Sequence, residues 1–589
     1  MDQFTDRLTR YLVCQARAAE PEIDAIVAPD SVHGIYTHDN YANAAHVFLA
    51  LYQTELPANP YFRSPEAARA VVRLIGGWLD KWDAAGARGE VYRFPEWCNF
   101  IMCRALERLG GELDAAIRQR MRTVVVRFVE ADLPRPFFFT APNHEIWKLV
   151  VVYLAGRLFD RPRWCEQAVF EARQLLAWQT PEGFWEEGRH HGPSMGYNHT
   201  MLSGLAVLAK EAEDETLRDA AARLAGFMGR WAFPDGTTCG AFDGRKPTAP
   251  GRACPGMELS PQGLAAMRSG LEAWDRRGWL DPESRECPAF RQAMKGDWVA
   301  AEALLYYADA AAAGATGAAL PMDAEGATSE NHTATFDATM ARRGPWVIAL
   351  SSQLSDVPKD TQFVYRLERQ NRIEVWHERA AVVIGGGHSL VTAQRPLYNA
   401  WVEPGYFAEP AGYSKMDDDA GSPAMARRRS KYYPRAASSG VDGGVSWLEV
   451  VFAHATARFE LQPTDGALVV RCRYTAFGIE ELRLALPMLL WEDATLAVDG
   501  RRIEAGEQAA DLTADREVAV DTPLFGTRAV LDVPAAGRTH VVYPVQPMRS
   551  YSRARERKLP AGFFALAFVE TVLDDPGRSG AAEWRVRVE

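Results

Sequence analysis

The chain has 589 residues, of which 47% are hydrophobic and 24% charged, and its net charge is −11. That length exceeds one ordinary domain, so two or three are expected. The acidic balance argues against a nucleic-acid binder, whose footprint is basic, and no apolar run is long enough to suggest a membrane span.

The N-terminal stretch lacks a basic region followed by an apolar core. With Met1 as the native start the expectation is a cytoplasmic protein; a signal removed beforehand would make it periplasmic or secreted. The eight cysteines (14, 98, 103, 165, 239, 254, 287 and 472) show no C-x-x-C spacing and read as buried thiols rather than zinc ligands.

Residues 1–312 are dominated by amphipathic segments of helical period. They fall at 67–82, 100–109, 117–129, 146–158, 164–178, 201–212, 217–231, 261–274 and 298–312, with apolar residues at i, i+3, i+4 and i+7. Turn chemistry separates them, as at Pro181-Glu182-Gly183 and Pro234-Asp235-Gly236. A spacing of roughly 20–30 residues suits helical hairpins, and without a strict repeat an (α/α) toroid fits better than a familiar solenoid. Residues 313–330 read as a linker. From 331 to 589 the period changes to short β-branched or alternating runs at 346–352, 380–384, 447–453, 467–474, 482–490 and 541–545, split by turns such as Asp465-Gly466 and Asp499-Gly500. Many strands without intervening helices predict an antiparallel β-sandwich. The expected fold is a helical toroid followed by a sandwich.

Two polar segments, read as nearby loops, interrupt the helical half. One carries Asn143, His144 and Glu145. The other runs from Gly183 to His199 and contains Trp185, Arg189, His190, His191 and Tyr197. Amide, imidazole and phenol together suit the elimination of a uronic-acid glycoside. There the C5 proton is removed, an enediolate forms and the C4 oxygen departs. That chemistry needs a group to neutralise the carboxylate, a base and an acid. Asn143 supplies an amide for the carboxylate. His144 supplies a base with a reference pKa of about 6.5. Tyr197 supplies the acid, or the base where its pKa is lowered. His190 and His191 compete with His144 for the role of base.

An Asn-His pair followed some fifty residues later by a Gly-Phe…Glu-Gly…Tyr segment resembles the toroid-plus-sandwich polysaccharide lyases, in particular the heparinase II/III and alginate lyase types. The resemblance rests on Asn143, His144 and Tyr197. A second likeness, to the hyaluronate and chondroitin lyases, lies in Phe336-Asp337…Ser352 and Trp376…Gly385-Gly386-Gly387-His388, and under it the base would be His190 or His191. The resemblance implies a lyase acting on an anionic polysaccharide or oligosaccharide. The His-x-His…Asp zinc pattern of heparinase II-type sandwiches is not evident, so neither metal nor cofactor is expected.

Other features carry competing readings. Asn143 before a helix also suits an N-cap. Asn331 and His332 suit either a turn or a second histidine reaching substrate. The run holding Arg427, Arg428, Arg429 and Lys431 suits either a solvated loop or a polyanion contact. Trp97, Trp147 and Trp185 are candidates to stack on sugar rings, whereas Trp78, Trp82 and Trp178 read as helical core. Two other functions remain open: a glycoside hydrolase on the same toroid, using carboxylates such as Glu186, Glu187 and Asp235, and a non-catalytic carbohydrate-binding protein.

Overall fold

In a computed structural model the described residues are 3–28, 41–87, 96–135, 141–186, 192–242, 253–281, 297–309, 319–354, 373–385, 398–401, 435–451, 455–476, 481–491, 494–504, 510–545, 564–574 and 579–589. They form two compact units. The first comprises Met1–Trp185, Tyr197–Gly229 and Gly251–Ala318, and the second Glu186–Gly196, Arg230–Pro250 and Ala319–Glu589.

The first unit is helical. Its longer helices are α1 (Gln3–Ala19), α3 (Tyr41–Gln53), α4 (Pro65–Ala87), α5 (Glu96–Leu109), α6 (Ala115–Asp132), α7 (Pro142–Leu158), α8 (Pro162–Leu175), α9 (Met195–Ala212), α10 (Glu215–Arg230), α11 (Pro261–Arg276) and α12 (Trp298–Asp309), with a short α2 (Ile23–Val27). Local chemistry sets several starts. Pro142, Pro162 and Pro261 occupy the first turns of α7, α8 and α11, where a missing N–H costs nothing. Asp114 caps α6 by accepting from the Ala116 N–H at 2.7 Å, and Asp297 Oδ1 accepts from Ala300 N–H at 3.1 Å to begin α12.

Side-chain contacts order five of these helices in parallel. His46 of α3 lies on Phe100 of α5, and Gln53 donates to the Arg108 carbonyl further along both helices. Glu96 of α5 meets His144 of α7, and Phe100 meets Trp147 one turn on. Trp147 donates to Thr200 of α9, and Tyr153 to Glu211. Lys210 of α9 reaches the Tyr306 carbonyl of α12, while Glu302 of α12 returns to His46. For α3 with α5, α5 with α7 and α7 with α9 residue numbers rise together on both partners, and Phe100–Trp298 with Arg104–Glu302 does the same for α5 and α12, so α3, α5, α7, α9 and α12 all present their N-termini at one end. Helices α1, α6 and α8 run the other way outside them. Phe4 meets Tyr307 while Tyr11 reaches Asp297, Asp132 meets Lys148 while Arg122 covers Phe159, and Cys165 donates to the Tyr153 carbonyl.

The middle of this bundle is ionic. Arg104 is buried and bonds Glu302 at 2.7 Å, Glu211 at 2.8 Å and Glu107 at 2.9 Å, and His46 Nε2 lies 3.0 Å from Glu302. Burial opposes ionisation of Glu302, but Arg104 and His46 outweigh it and hold the carboxyl at about 2.

The second unit holds two antiparallel sheets. One runs β1 (Thr328–His332), β2 (Asp337–Arg343), β3 (Trp346–Ser351), β4 (Ile373–His377), β5 (Ala381–Ile384), β11 (Glu481–Trp491), β18 (Phe564–Asp574), β17 (Arg538–Val545) and β14 (Ala510–Ala514), with β6 (Tyr398–Trp401) also on β11. The other runs β13 (Arg501–Ile503), β12 (Thr495–Val498), β15 (Glu517–Thr522), β16 (Thr527–Asp532), β19 (Ser579–Val588), β10 (Leu468–Ala476), β9 (Ala455–Pro463), β8 (Val445–Val451) and β7 (Ala436–Asp442). Alternate residues of both sheets, such as Ile348, Val375, Leu448, Phe459, Val470 and Leu486, share one apolar core.

Two expectations need correction. The expected linker at 313–330 already contains the start of β1 at Thr328, and residues 186–196 and 230–250, expected in the helical half, belong with the sandwich unit. The physical reason for the second is visible in the burial. β3, β4 and β5 are covered along their whole length rather than alternately. Trp231 lies edge-on to Phe336 at 4.8 Å and Phe233 stacks over Trp376 at 6.4 Å. The buried Glu374 carboxylate accepts from Cys239 Sγ and the Ala241 N–H. A sheet face that would otherwise meet water is closed by this segment. Trp178, expected in the helical core, is 44% exposed after α8 ends.

Candidate active site

Asn143 and His144 lie within the first turn of α7 rather than in a loop, and Tyr197 lies in the first turn of α9. The apolar pattern alone starts these helices at 146 and 201. Pro142 sets α7 earlier, because its fixed φ is already helical. The N-cap of α7 is Ala141, which has no side chain to cap with, so Asn143 is not the cap. Its amide has another fate. Asn143 is 1% exposed, and neither Oδ1 nor Nδ2 has a hydrogen-bond partner among the described residues. An unsatisfied buried amide is costly, about 1–3 kcal/mol for each group left without a partner.

Next to it His144 Nδ1 lies 2.5 Å from Glu96 Oε1. Glu96 opens α5 and is wholly buried, with Oε2 lacking a partner among the described residues. Where Glu96 is ionised it only accepts, and the contact then has the imidazole hydrogen on Nδ1 and the lone pair on Nε2. The imidazole also rests against Trp97, with ring centroids 4.8 Å apart, and Trp97 leads on to Trp298 at 6.2 Å. Both indoles are half-buried at the same end of the bundle.

Tyr197 is half-buried. Trp147 donates to the Thr200 carbonyl at 2.8 Å, and Asn143 and Tyr197 each stand about one turn before that contact, toward the same end of parallel helices. That end collects five helix N-termini, whose orphan N–H groups and dipoles favour a bound anion. Acidic neighbours are balanced nearby. Lys148 bonds Glu145 at 3.1 Å and lies 3.5 Å from Asp132. Burial works against the Lys148 charge, yet Glu145 and Asp132 raise its pKa overall, while burial pushes the Asp132 carboxyl up against the pull of Lys148.

Other expected residues fall elsewhere. Trp147 is fully buried between Phe100 and Trp298, and Trp185 is 2% exposed with its indole donating to the Leu175 carbonyl. Neither ring presents a face to a sugar; both are packed in the core, and Trp185 is further pinned by the Asn198 side chain. His332 lies on β1 of the other unit, 45% exposed at its side chain, with Nδ1 2.7 Å from Asp337. Arg189, His190 and His191, and Arg427, Arg428 and Arg429, lie outside the described residues. The sequence reading missed Glu96 and Trp298. Each opens an apolar helical run, which is a signal for a helix start and not for a site.

No protein-family model and no curated protein matches the chain. Among solved structures it is similar to a chondroitin AC lyase from Streptomyces coelicolor A3, in complex with chondroitin sulphate. The identity is 13%, the match covers 100% of this chain and 80% of that one, and the TM-score is 0.53. A single-residue variant of that lyase matches with the same identity and coverage at a TM-score of 0.50. A xanthan lyase from Paenibacillus matches at 10% identity over 100% of this chain and 59% of that one, with a TM-score of 0.48. At such identities the likeness is one of fold. The chain has the α/α toroid plus β-sandwich fold seen in the chondroitin AC lyase.

Proposed function

We propose that this protein is a polysaccharide lyase that cleaves a uronic-acid linkage by β-elimination. The observation that carries the reading is the Asn143 amide, buried without a partner among the described residues, beside the His144 imidazole held by Glu96. A uronate carboxylate is the ligand whose chemistry fits it. Nδ2–H of Asn143 donates to one carboxylate oxygen, and the N-terminus of α7 adds its dipole as charge moves onto the carboxylate during enolisation. His144 takes the C5 proton on Nε2. The C5–H electron pair forms the C4–C5 double bond, the C4–O bond breaks, and its electrons leave with the oxygen. Tyr197 returns a proton to that oxygen. Solvent then reprotonates Tyr197 and takes the proton from His144, which restores the starting state. The half-buried Trp97 offers a ring face at the same place, suited to an apolar sugar face.

The test is a panel of uronate polymers, including chondroitin sulphate, followed by ultraviolet absorbance of the conjugated unsaturated uronate. Growth of that chromophore with turnover supports the elimination. New reducing ends without the chromophore would mean hydrolysis, and binding without either product would mean a carbohydrate-binding protein. The histidine assignment is tested in the same assay, by comparing His144→Ala with His190→Ala and His191→Ala.

A further inference from the structure

We propose that Glu96 is the positioning residue of this site, setting the tautomer and the orientation of His144 through the first turn of α5. The inference rests on the lyase reading for its kinetic consequences, but not for its structural content. Three observations carry it. The Glu96 side chain is wholly buried, as is that of Glu302 in the same helical unit, but Glu302 has Arg104 and His46 as partners. Glu96 has His144 as its hydrogen-bond partner, at 2.5 Å, and its second oxygen has none among the described residues. Among the described residues no cation other than that histidine is bonded to Glu96, and a buried carboxylate so placed is destabilising unless its bond does something else. Finally, the ring atom that meets the carboxylate is Nδ1, the nitrogen nearer the backbone, so a bond donated from Nδ1 leaves the outer nitrogen to hold the lone pair.

The consequence is chemical. When Nε2 accepts a proton the ring becomes a cation, and Glu96 then faces it across a charge-assisted bond. The carboxylate therefore acts where charge develops rather than on the resting substrate complex. No bond forms or breaks at Glu96, and the Nδ1 hydrogen stays on the imidazole. Trp97, the next residue of α5, packs on the same ring and prevents it from turning away. One helix turn thus supplies both the acceptor and the wall.

Glu96→Gln is the discriminating variant. A carboxamide can turn its NH2 toward Nδ1, which moves the ring hydrogen to Nε2 and removes the outward lone pair. Turnover is expected to fall about 10²- to 10⁴-fold, the scale for losing the carboxylate that fixes a proton-transferring imidazole, with KM within about threefold of the parent. Glu96→Asp keeps an acceptor and should retain more turnover than Glu96→Gln. Nitrogen-15 NMR of protein labelled at histidine reads the tautomer directly, with the His144 signal identified by its loss in His144→Ala. The wild-type and Glu96→Asp proteins should show hydrogen on Nδ1, and Glu96→Gln hydrogen on Nε2. If Glu96→Gln does not fold, Glu96→Asp alone decides: an Nδ1-protonated ring with reduced turnover and unchanged KM supports the role. An unaltered tautomer in Glu96→Gln, wild-type turnover in it, or a change confined to KM overturns the proposal. A wild-type protein inert on every uronate polymer would remove the lyase reading, and the NMR arm would still decide what Glu96 does.

Discussion

Replacing Asn143 by leucine should make the ligand-free protein more stable and inactive at once. Leucine has nearly the shape of asparagine, with two methyl groups where Asn143 carries Oδ1 and Nδ2. Both of those atoms are buried without partners among the described residues, so the change removes two unsatisfied polar groups and leaves no cavity. Each such group costs about 1–3 kcal/mol, reduced where an ordered water reaches it, so a net gain of about 1–3 kcal/mol for the pair is a conservative figure. Helix propensity accounts for only about 0.5 kcal/mol of this. The helical unit should then melt roughly 2–12 °C higher, at roughly 2–4 °C per kcal/mol. Turnover should fall at least about 10²-fold, as for the loss of a donor aimed at developing charge. A uronate oligosaccharide should raise the melting temperature of the parent and not that of the variant. The assay is thermal melting with and without oligosaccharide, alongside turnover. A variant that melts below the parent would show that the amide is satisfied within the fold, and one that keeps its turnover would show that it is not used on substrate.

His144→Ala and Tyr197→Phe should each lower turnover at least about 10²-fold; wild-type rates in both would exclude the pair from proton transfer. Glu302, held at about 2 in the folded protein against an ordinary 4.5, contributes stability that is complete above pH 4.5 and lost as pH falls towards 2. Glu302→Gln should cost about 3 kcal/mol at neutral pH, since Arg104 keeps only Glu211 and Glu107, and should flatten the acid limb of a urea-midpoint profile. Parallel profiles through that window would contradict this. His377 lies against Trp346 in β4, and burial, with Arg379 adding to it, lowers its pKa to about 4. Its contribution is therefore complete above pH 6.5 and lost as pH falls towards 4, because the unfolded chain binds the proton first. His377→Phe should remove that part of the pH dependence, and an unchanged slope between pH 6.5 and 4 would refute the assignment.

The order of the two halves was legible because period survives in a single chain. A 3.6-residue stripe places 117–129 and 146–158 on helices, and alternation places 467–474 and 482–490 on strands, within a few residues of α6, α7, β10 and β11. The polar character of Asn143, His144 and Tyr197 was equally visible, since such groups stand out in apolar sequence. Their partners were not. Glu96 is 48 residues from His144 and reaches it only because α5 and α7 lie parallel with their first turns level. The tryptophans show the same limit. Trp97 and Trp147 look alike as residues beside polar groups, but α7 turns Trp147 inward onto Phe100 and Trp298 while Trp97 stays half-buried beside the imidazole. Likewise nothing in residues 230–242 announces that they cover β3 and β4; the burial of Glu374 under Cys239 and Ala241 requires the sheet to exist first. Local periodicity is written in neighbouring residues and can be read from them. Which buried carboxylate meets which imidazole depends on contacts between segments far apart in the chain, and these exist only once the helices have packed.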